Sequence, residues 1–313
     1  MYSYVSRRML LSVPTLVVVS FIIFAMIRIN PDSIVAARLG EGYTEEQAAL
    51  IKHEYRLDRP FATEYVRWVG RVLTGDWGKS AYTFKPVLSE MAPKIAVTLE
   101  LAAVAVVFAV VIGIPIGVFS AMRQDRWPDY VLRSGAIFGL SVPGFYVATI
   151  ALAVLANQFQ WVPAVEYKTP LEAPLTNISQ IWLPAFILSL GTSASVMRFS
   201  RTMMLEVLRQ DYIRTAWSKG LPERSVIARH ALKNAMLPVI TIVGLTVAAL
   251  VGGTVIFETL FTLPGLGTYM VGAVQRKDFA VVQGVTLFFS ASVVFINMVV
   301  DVSYTLLDPR ARR

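Results

Sequence analysis

The chain has 313 residues, of which 55% are apolar and only 16% are charged, and it contains no cysteine. Soluble globular proteins have about 45–50% apolar and about 25% charged residues, so both values indicate a membrane protein. The same composition excludes a disordered chain, a coiled coil, a collagen-like fibre and a small secreted domain held by disulfides. In a soluble chain the net charge of +8 would suggest nucleic-acid binding. In a chain this apolar we expect no nucleic-acid partner and interpret the charge through its distribution across a bilayer.

Six apolar stretches are long enough to cross a bilayer as helices. A spanning helix needs about 20 mostly apolar residues, because each residue rises about 1.5 Å through a hydrocarbon core about 30 Å thick. The predicted spans are 9–27, 97–119, 131–156, 181–197, 237–257 and 284–307. The first could instead be a signal peptide, but its apolar run is long for one and no small-residue cleavage site follows it. The sequence therefore predicts an all-α polytopic membrane protein with six transmembrane helices.

The distribution of lysine and arginine predicts the orientation of these spans. With both termini inside, the inner segments carry a net charge of +10 and the outer segments +1. Because basic residues are enriched in cytoplasmic loops, the N- and C-termini are predicted to be cytoplasmic. The predicted organisation is a tail with the first span (1–28), an extracytoplasmic helical loop (29–96), a five-helix core (97–307) and a cytoplasmic tail (308–313).

The extracytoplasmic loop 29–96 carries helix signals of its own. Thr44 and Gln47 have the spacing of a capping box, which predicts a helix start. Pro60 stands where a proline is tolerated at the start of a second helix. We interpret the segment as a small helical cap on the outer face, with a ligand-recognition domain as the alternative.

A stretch later in the same loop looks like a nucleotide site and is not one. Gly78-Lys79-Ser80 resembles the end of a phosphate-binding loop. That motif needs a glycine five positions before its second glycine, and Leu73 occupies this place. No strand precedes the stretch either, so the sequence predicts that this chain binds no nucleotide.

The inner loop 198–236 is much longer than the usual connection of about 2–8 residues between packed helices. Asp211 is placed to cap a short helix that ends at Gly220. This helix has an apolar stripe, and its small Ala216 would allow close approach by another protein. The residues alone leave two interpretations open, a helix on which another protein docks and an amphipathic helix held at the lipid headgroups.

The stretch Asp211–Leu221, followed by His230–Pro238, resembles the EAA loop of ABC-importer permeases, in the form found in the dipeptide, oligopeptide and nickel family. Two departures are Trp217, where the family usually has a small or basic residue, and residues 93–96, which replace the usual Arg-Leu-Pro. Further stretches agree with that family in order along nearly the whole chain, namely Leu57–Phe61, Gly75–Ser80, Thr98–Leu101, Ser141–Phe145, Pro264–Gly267, Val282–Gly284 and Leu307–Arg310.

The resemblance implies an ABC type I importer permease fold in the cytoplasmic membrane of a bacterium or archaeon. It implies four partners: a homologous second permease, two cytoplasmic ATPases, and an extracytoplasmic solute-binding protein that delivers substrate. The chain itself would be no enzyme, would use no cofactor and would hold no metal. The resemblance assigns ATPase coupling to the short helix and its end, that is, to Asp211, Tyr212, Ile213, Arg214, Thr215, Ala216, Lys219, Gly220 and Leu221.

The family resemblance leaves the substrate open. Di- or oligopeptides are the expected cargo, and nickel chelates, glutathione and oligosaccharides are the alternatives. A secondary transporter that works alone on an ion gradient is the alternative from a different class. Such a transporter is expected to have broken spans in two repeated halves, and the sequence shows no such internal symmetry.

Ionisable and helix-breaking residues within spans are candidates for the translocation path, because a charge in lipid is costly unless it is paired or hydrated. For Glu258 the alternative is an ion pair with Arg276 or Lys277, and for Asp301 it is a contact between helices. The glycines and prolines within spans favour close helix packing over local unwinding. The path candidates are Glu100, Pro143, Phe145, Glu258, Asn297 and Asp301.

Overall fold

The computed structural model describes residues 2–29, 31–40 and 42–307, and the predicted cytoplasmic tail 308–313 lies outside them. The described residues form helices and contain no β-strand beyond one isolated bridge, which confirms the all-α prediction. The helices are α1 (Tyr2–Ile29), α2 (Pro31–Leu39), α3 (Glu45–Glu54), α4 (Phe61–Leu73), α5 (Val87–Met122), α6 (Trp127–Ser141), α7 (Gly144–Phe159), α8 (Pro174–Leu208), α9 (Asp211–Ser218), α10 (Glu223–Ser225), α11 (Lys233–Leu260), α12 (Leu266–Gln275) and α13 (Phe279–Leu307).

The chain divides into two compact units, one of Tyr2–Thr98 with Pro264–Val294 and one of Leu99–Leu263 with the residues from 295 onward. In the first unit, α1 packs on α4 through aromatic rings. The ring of Phe24 lies 5.2 Å from that of Phe61 and 5.5 Å from that of Tyr65, both edge to face. A separate cluster joins the start of α5 to α12 and α13, and its fully buried members are Val87, Met91, Leu266, Val281 and Val285.

The helix starts predicted within 29–96 are confirmed. The Thr44 side chain accepts from the Gln47 N–H at 3.3 Å, and the Gln47 side chain accepts from the Thr44 N–H at 3.0 Å, which completes the capping box. Helix α4 begins directly after Pro60. Helix α2 was not predicted, and it buries Ile34 and Val35 next to each other rather than at helical spacing.

Four of the described helices are long and apolar enough to cross a membrane, and a fifth span is formed if α6 and α7 are counted together. Helix α1 contains a shorter apolar stretch, Leu10–Met26. The exact number of six spans is therefore not confirmed. The helix that contains the second predicted span extends beyond it on the N-terminal side, because it starts at Val87 rather than near residue 97.

The third predicted span, 131–156, is not one straight helix. Helices α6 and α7 meet at an angle of 91°. Val142 between them is extended, with φ −91° and ψ 123°, because a proline disfavours helical backbone in the residue that precedes it. Pro143 then stands at the N-cap of α7. The Val142-Pro143 pair thus turns the chain sharply in the middle of an apolar run.

Small residues let α5 and α8 come close together, as the sequence predicted. A Cβ atom added to Gly113 would lie 2.8 Å from the Ser193 carbonyl oxygen. One added to Gly117 would lie 2.5 Å from the Met197 carbonyl oxygen. Helix α5 runs unbroken from Val87 to Met122, so Pro115 does not interrupt it. Close packing, rather than unwinding, explains these glycines.

Replacing Gly117 by Ala is expected to lower the stability of the protein by about 1–3 kcal/mol, because the new methyl group forces two packed backbones apart. The measurement is the apparent thermal unfolding midpoint of the purified protein in detergent. Gly135→Ala is the matched control, since its Cβ meets no atom within 4 Å in helix α6 and alanine is the better helix former. An unchanged midpoint for Gly117→Ala would contradict the packing.

Candidate functional site

Helix α9 follows α8 after only two residues, and its first residue is not the one predicted. Gln210 occupies the N-cap position, so the prediction that Asp211 caps the helix is wrong, and Asp211 is the first helical residue. Its carboxylate accepts from the Arg214 guanidinium at 3.4 Å, one turn further along. An acidic residue in the first turn stabilises a helix by interacting with the positive end of the helix dipole. Asp211 therefore favours this helix start through its charge.

The predicted end of α9 at Gly220 is confirmed. Gly220 has φ +74°, in the left-handed region that glycine adopts without strain. Its N–H donates to the Trp217 carbonyl at 2.9 Å, and the Leu221 N–H donates to the Ala216 carbonyl at 3.4 Å. This pair of bonds is a Schellman motif, which satisfies the last carbonyls of the helix and stops it sharply.

One face of α9 packs on its own chain. Ile213 is fully buried and Ala216 is nearly so. The expectation that Ala216 serves the approach of another protein is therefore corrected, since its small side chain allows α9 to approach its own loop. These two side chains belong to an apolar cluster with Ala121, Met204, Val226, Ala231 and Ala235.

The opposite face of α9 is exposed and combines aromatic with charged groups. Tyr212 and Trp217 are both exposed, at 44% and 43%. The Tyr212 hydroxyl accepts from the Asn234 side-chain amide at 3.0 Å, which holds the ring against the following helix. The Leu221 side chain is half-buried at the foot of the helix. The other exposed members of the predicted coupling set are Asp211, Arg214, Thr215, Lys219 and Gly220.

A π-helical segment, Val226–Leu232, connects α10 to α11 and was not predicted from the sequence. Hydrogen bonds in a π-helix join residues five apart, so such residues come to the same side. Val226 and Ala231 are five apart, and both are fully buried in the cluster that holds α9. The π-helical winding thus brings both Val226 and Ala231 into the apolar cluster on which α9 packs.

A buried ion pair ties α8 to the start of α6, 72 positions earlier in the chain. The Arg201 guanidinium donates to both oxygens of the Asp129 carboxylate, at 2.8 and 2.6 Å. The Ser120 hydroxyl and the Asp125 N–H donate to the same carboxylate, at 2.5 and 3.1 Å. Asp129 is 0% exposed and Arg201 15%. Sequence analysis missed this pair, because each residue by itself resembles an ordinary charge at the edge of a span.

A cavity of about 1,030 Å³ is lined by parts of α5, α6, α7, α8 and α11. Pro143 and Phe145 lie at the bend between α6 and α7 and line this cavity, and their part in a path stays a prediction. The lining is mostly apolar, and its hydroxyl-bearing side chains are those of Thr192, Ser193, Ser195 and Thr246. None of the side chains that line it carries a charge.

Comparison with known proteins identifies the family. The family model described as binding-protein-dependent transport system inner membrane component matches residues 113–313, and the model of its N-terminal region matches residues 1–102. The chain belongs to this family. The permease is therefore a transport subunit rather than an enzyme, and a multi-pass protein of the cytoplasmic membrane. The family also implies partnership with ATPase and solute-binding subunits.

Relatives of the permease cover its full length. A peptide permease protein of Brucella ovis is 35% identical over 100% of this chain and 99% of its own. The dipeptide transport system permease protein of Alkalihalophilus pseudofirmus is 34% identical over the whole of both chains. An inward-facing structure of the MetNI methionine ABC transporter has a TM-score of 0.54 at 15% identity, covering 70% of this chain and 96% of that one. This likeness shows that the permease has the type I importer fold.

Two of the acidic path candidates are engaged or buried in the permease. Glu100 accepts a short hydrogen bond from the Tyr167 hydroxyl, which also accepts from the Asn177 amide at 3.1 Å. Burial and the neighbouring Glu100 carboxylate raise the pKa of the Tyr167 phenol above its ordinary value. Glu258 lies in the last turn of α11 and is 0% exposed. Arg276 is one of the two residues predicted to pair with Glu258, and its guanidinium lies over the ring of Tyr82.

The remaining candidates lie on α13. Asn297 and Asp301 are one turn apart on this helix, and both are half-buried. They are not among the residues that line the cavity, and neither are Glu100 and Glu258. Their part in a path stays a prediction. Among the described residues, no three or more His, Cys, Asp or Glu side chains are grouped so that they could hold a metal ion.

Proposed function

We propose that this permease is one of two homologous membrane subunits that together form the path of an ATP-driven importer of di- or oligopeptides. In this proposal two cytoplasmic ATPases drive the transport cycle and an extracytoplasmic solute-binding protein delivers the substrate. The full-length relatives named for peptide and dipeptide transport support the choice of cargo. The cavity lined by Pro143 and Phe145 supports a path through the apolar core, since its walls carry no charged side chain.

The observation that carries the coupling assignment is the two-faced placement of α9. Its apolar face is fixed in a buried cluster of its own chain, while Tyr212, Arg214 and Trp217 point to the other side. A helix held in this way moves together with α8 when it is pushed, whereas a flexible loop would absorb the displacement. Tyrosine, tryptophan and arginine, the residue types at these three positions, are enriched at protein interfaces. We therefore assign α9 as the helix that receives the motion of an ATPase.

Changing Asp211 to Lys is expected to weaken the complex with the ATPases at least tenfold, because it reverses one charge of the exposed face and places a cation at the positive end of α9. Gly220→Pro should have a larger effect, since proline cannot adopt the φ of +74° that ends the helix. The measurement is the amount of ATPase that co-purifies with the permease, together with ATP hydrolysis stimulated by the loaded binding protein.

Glu46→Lys, the same charge reversal on α3, is the matched control for Asp211→Lys and should leave ATPase association unchanged. Normal assembly and transport in both α9 variants would refute the coupling assignment. Uptake by this chain alone into ATP-free proteoliposomes under an ion gradient would instead establish a secondary transporter.

The proposed orientation can be tested directly, because the chain has no native cysteine. Leu171→Cys, at a side chain 98% exposed in the connection between α7 and α8, should react with a membrane-impermeant maleimide in spheroplasts. Ser218→Cys, exposed at the end of α9, should react only after the membrane is opened. The opposite labelling pattern would show that the protein has the opposite orientation in the membrane.

The substrate is tested through the solute-binding protein. Its affinity for a panel of dipeptides, tetrapeptides, glutathione, nickel chelates and oligosaccharides can be measured by calorimetry. Transport by the reconstituted complex should then follow the ligand that binds. We expect peptides to bind with the highest affinity, and exclusive binding of one of the other classes would replace peptides in the proposal while leaving the ATP-driven mechanism intact.

A further inference from the structure

A second cavity, of about 380 Å³, lies within the unit that contains α1 to α4, and nothing in the proposed transport cycle uses it. Part of its wall is the stretch 76–81, which includes the Gly-Lys-Ser sequence that resembles a phosphate-binding loop without being one. The end of α1, the α3–α4 connection, one side of α4 and the start of α13 complete the wall. We call it the basic cavity.

The charges around the basic cavity do not balance. Its two acidic residues are already engaged by the chain: Glu64 is buried and accepts from the Arg67 guanidinium at 3.4 Å, and Asp76 accepts from the Gly78 N–H at 3.0 Å. The side chains of Arg71 and Lys79 are exposed. The cationic side chains of the wall are Arg28, Arg56, Arg71 and Lys79.

Arg56 carries a buried donor that makes no hydrogen bond within the chain. Its Nη1 atom lies 3.8 Å from a Glu64 carboxylate oxygen, close enough for an ion pair but too far for a hydrogen bond, and it has no hydrogen-bond partner among the described residues. A buried donor without an acceptor is rare in native structures and calls for a ligand, an ion or a water molecule. The Arg28 guanidinium, in contrast, donates to the Arg56 carbonyl at 2.8 Å and is thereby used within the chain.

Aromatic rings form the apolar part of the same wall. Trp68 on α4 and Trp77 beside Lys79 face this cavity, as do Phe24 and Phe84. Aromatic walls with a few polar groups are typical of pockets for organic molecules, and arginine is the preferred partner of a carboxylate. An inorganic anion would use the cations and leave the rings without a contact. The combination fits an organic carboxylate.

We propose that the basic cavity binds the C-terminal end of a short peptide, with Arg56, Arg71 and Lys79 around its carboxylate and the tryptophan rings beside its last side chain. The inference rests on the proposed function, which assigns peptides as cargo, and on the predicted extracytoplasmic position of residues 29–96. The cavity is thus a second peptide site, distinct from the large cavity between α5 and α11, on the side where the binding protein releases its load.

The experiment measures binding of the dipeptide Ala-Phe to the assembled transporter complex, without binding protein, by calorimetry in nanodiscs of zwitterionic lipid. Arg71→Met and Lys79→Met are each expected to raise the Kd at least tenfold, because each removes a charge-assisted hydrogen bond. Amidation of the peptide's C-terminus should raise it by a similar factor. Arg59→Met and Lys85→Met are the matched controls, since these residues lie nearby but do not line the cavity, and the Kd should stay within twofold.

Several outcomes would overturn the proposal. One is equal affinity for the free and the amidated dipeptide, and another is an equal loss in the control variants. Displacement of the dipeptide by an equimolar amount of inorganic phosphate would show a simple anion site, and loss of binding in phosphatidylglycerol nanodiscs would show a lipid headgroup site. Absence of measurable dipeptide binding would refute it as well.

The outcome can be separated from a failure of the proposed function. A complex that imports peptides with its binding protein and ATP, but shows none of these effects, refutes the basic cavity alone. A complex that imports no peptide under any condition refutes the proposed function. The Arg71→Met and Lys79→Met complexes should still assemble with their ATPases, which verifies that they are folded.

Discussion

Replacing Asp129 by Asn is expected to lower the stability of the permease by about 3–5 kcal/mol, because the change leaves the Arg201 guanidinium buried without a counter-charge. The pair is bidentate and the carboxylate accepts two further hydrogen bonds, so no water can replace it without rearrangement. The measurement is the apparent thermal unfolding midpoint in detergent, together with the yield of monodisperse protein.

Two further variants distinguish loss of the pair from loss of a charge. Asp125→Asn is the matched control, because its carboxylate is exposed and accepts from the neighbouring Gln124, and it should change the midpoint little. Adding Arg201→Met to Asp129→Asn should restore much of the lost stability, since the uncompensated charge is then removed. If the second substitution instead lowered stability further, by its own full cost, the two residues would not be coupled.

The substitution Ile213→Ala is expected to cost about 2–5 kcal/mol, because it leaves a cavity where a fully buried side chain joins α9 to α8 and the π-helical segment. Helix α9 has only eight residues, and isolated helices of that length are unstable in water. We therefore expect α9 to separate from α8 and from the π-helical segment. ATP hydrolysis stimulated by the loaded binding protein should fall to the basal rate, measured on the reconstituted complex.

Thr202→Ala, on the exposed side of α8 and outside the predicted coupling set, is the matched control for Ile213→Ala. Its hydroxyl donates to the Arg198 carbonyl within the same helix, so stability and stimulated hydrolysis should both stay close to those of the wild type. Equal loss of stimulation in the two variants would show that the effect does not come from the buried cluster that holds α9.

Local features of the chain were predicted well, because the residues that decide them are close in sequence. The capping box at Thr44 forms as expected, since both of its hydrogen bonds join residues three apart. The end of α9 at Gly220 follows from a single residue that tolerates a positive φ. The family was recognisable for a similar reason, since it is carried by short motifs in a fixed order.

Features that depend on distant residues were missed or placed wrongly. The Asp129–Arg201 pair joins residues 72 apart, and no local pattern marks either partner. The apolar stripe of α9 was correctly predicted, but its neighbour was not, because a stripe shows that a face is buried without showing what buries it. Ala216 was therefore assigned to another protein when it packs on its own chain.

Membrane insertion, family membership and a few helix ends, namely the starts of α3 and α4 and the end of α9, could be predicted from the sequence alone. Those properties depend on total apolar length, on the order of short motifs and on hydrogen bonds within one or two turns. The direction in which α9 faces, the 91° angle between α6 and α7, and the burial of Glu258 became visible only in the folded chain. These properties depend on side-chain volume and hydrogen-bond geometry between segments that lie far apart in the chain, which periodicity and composition do not record.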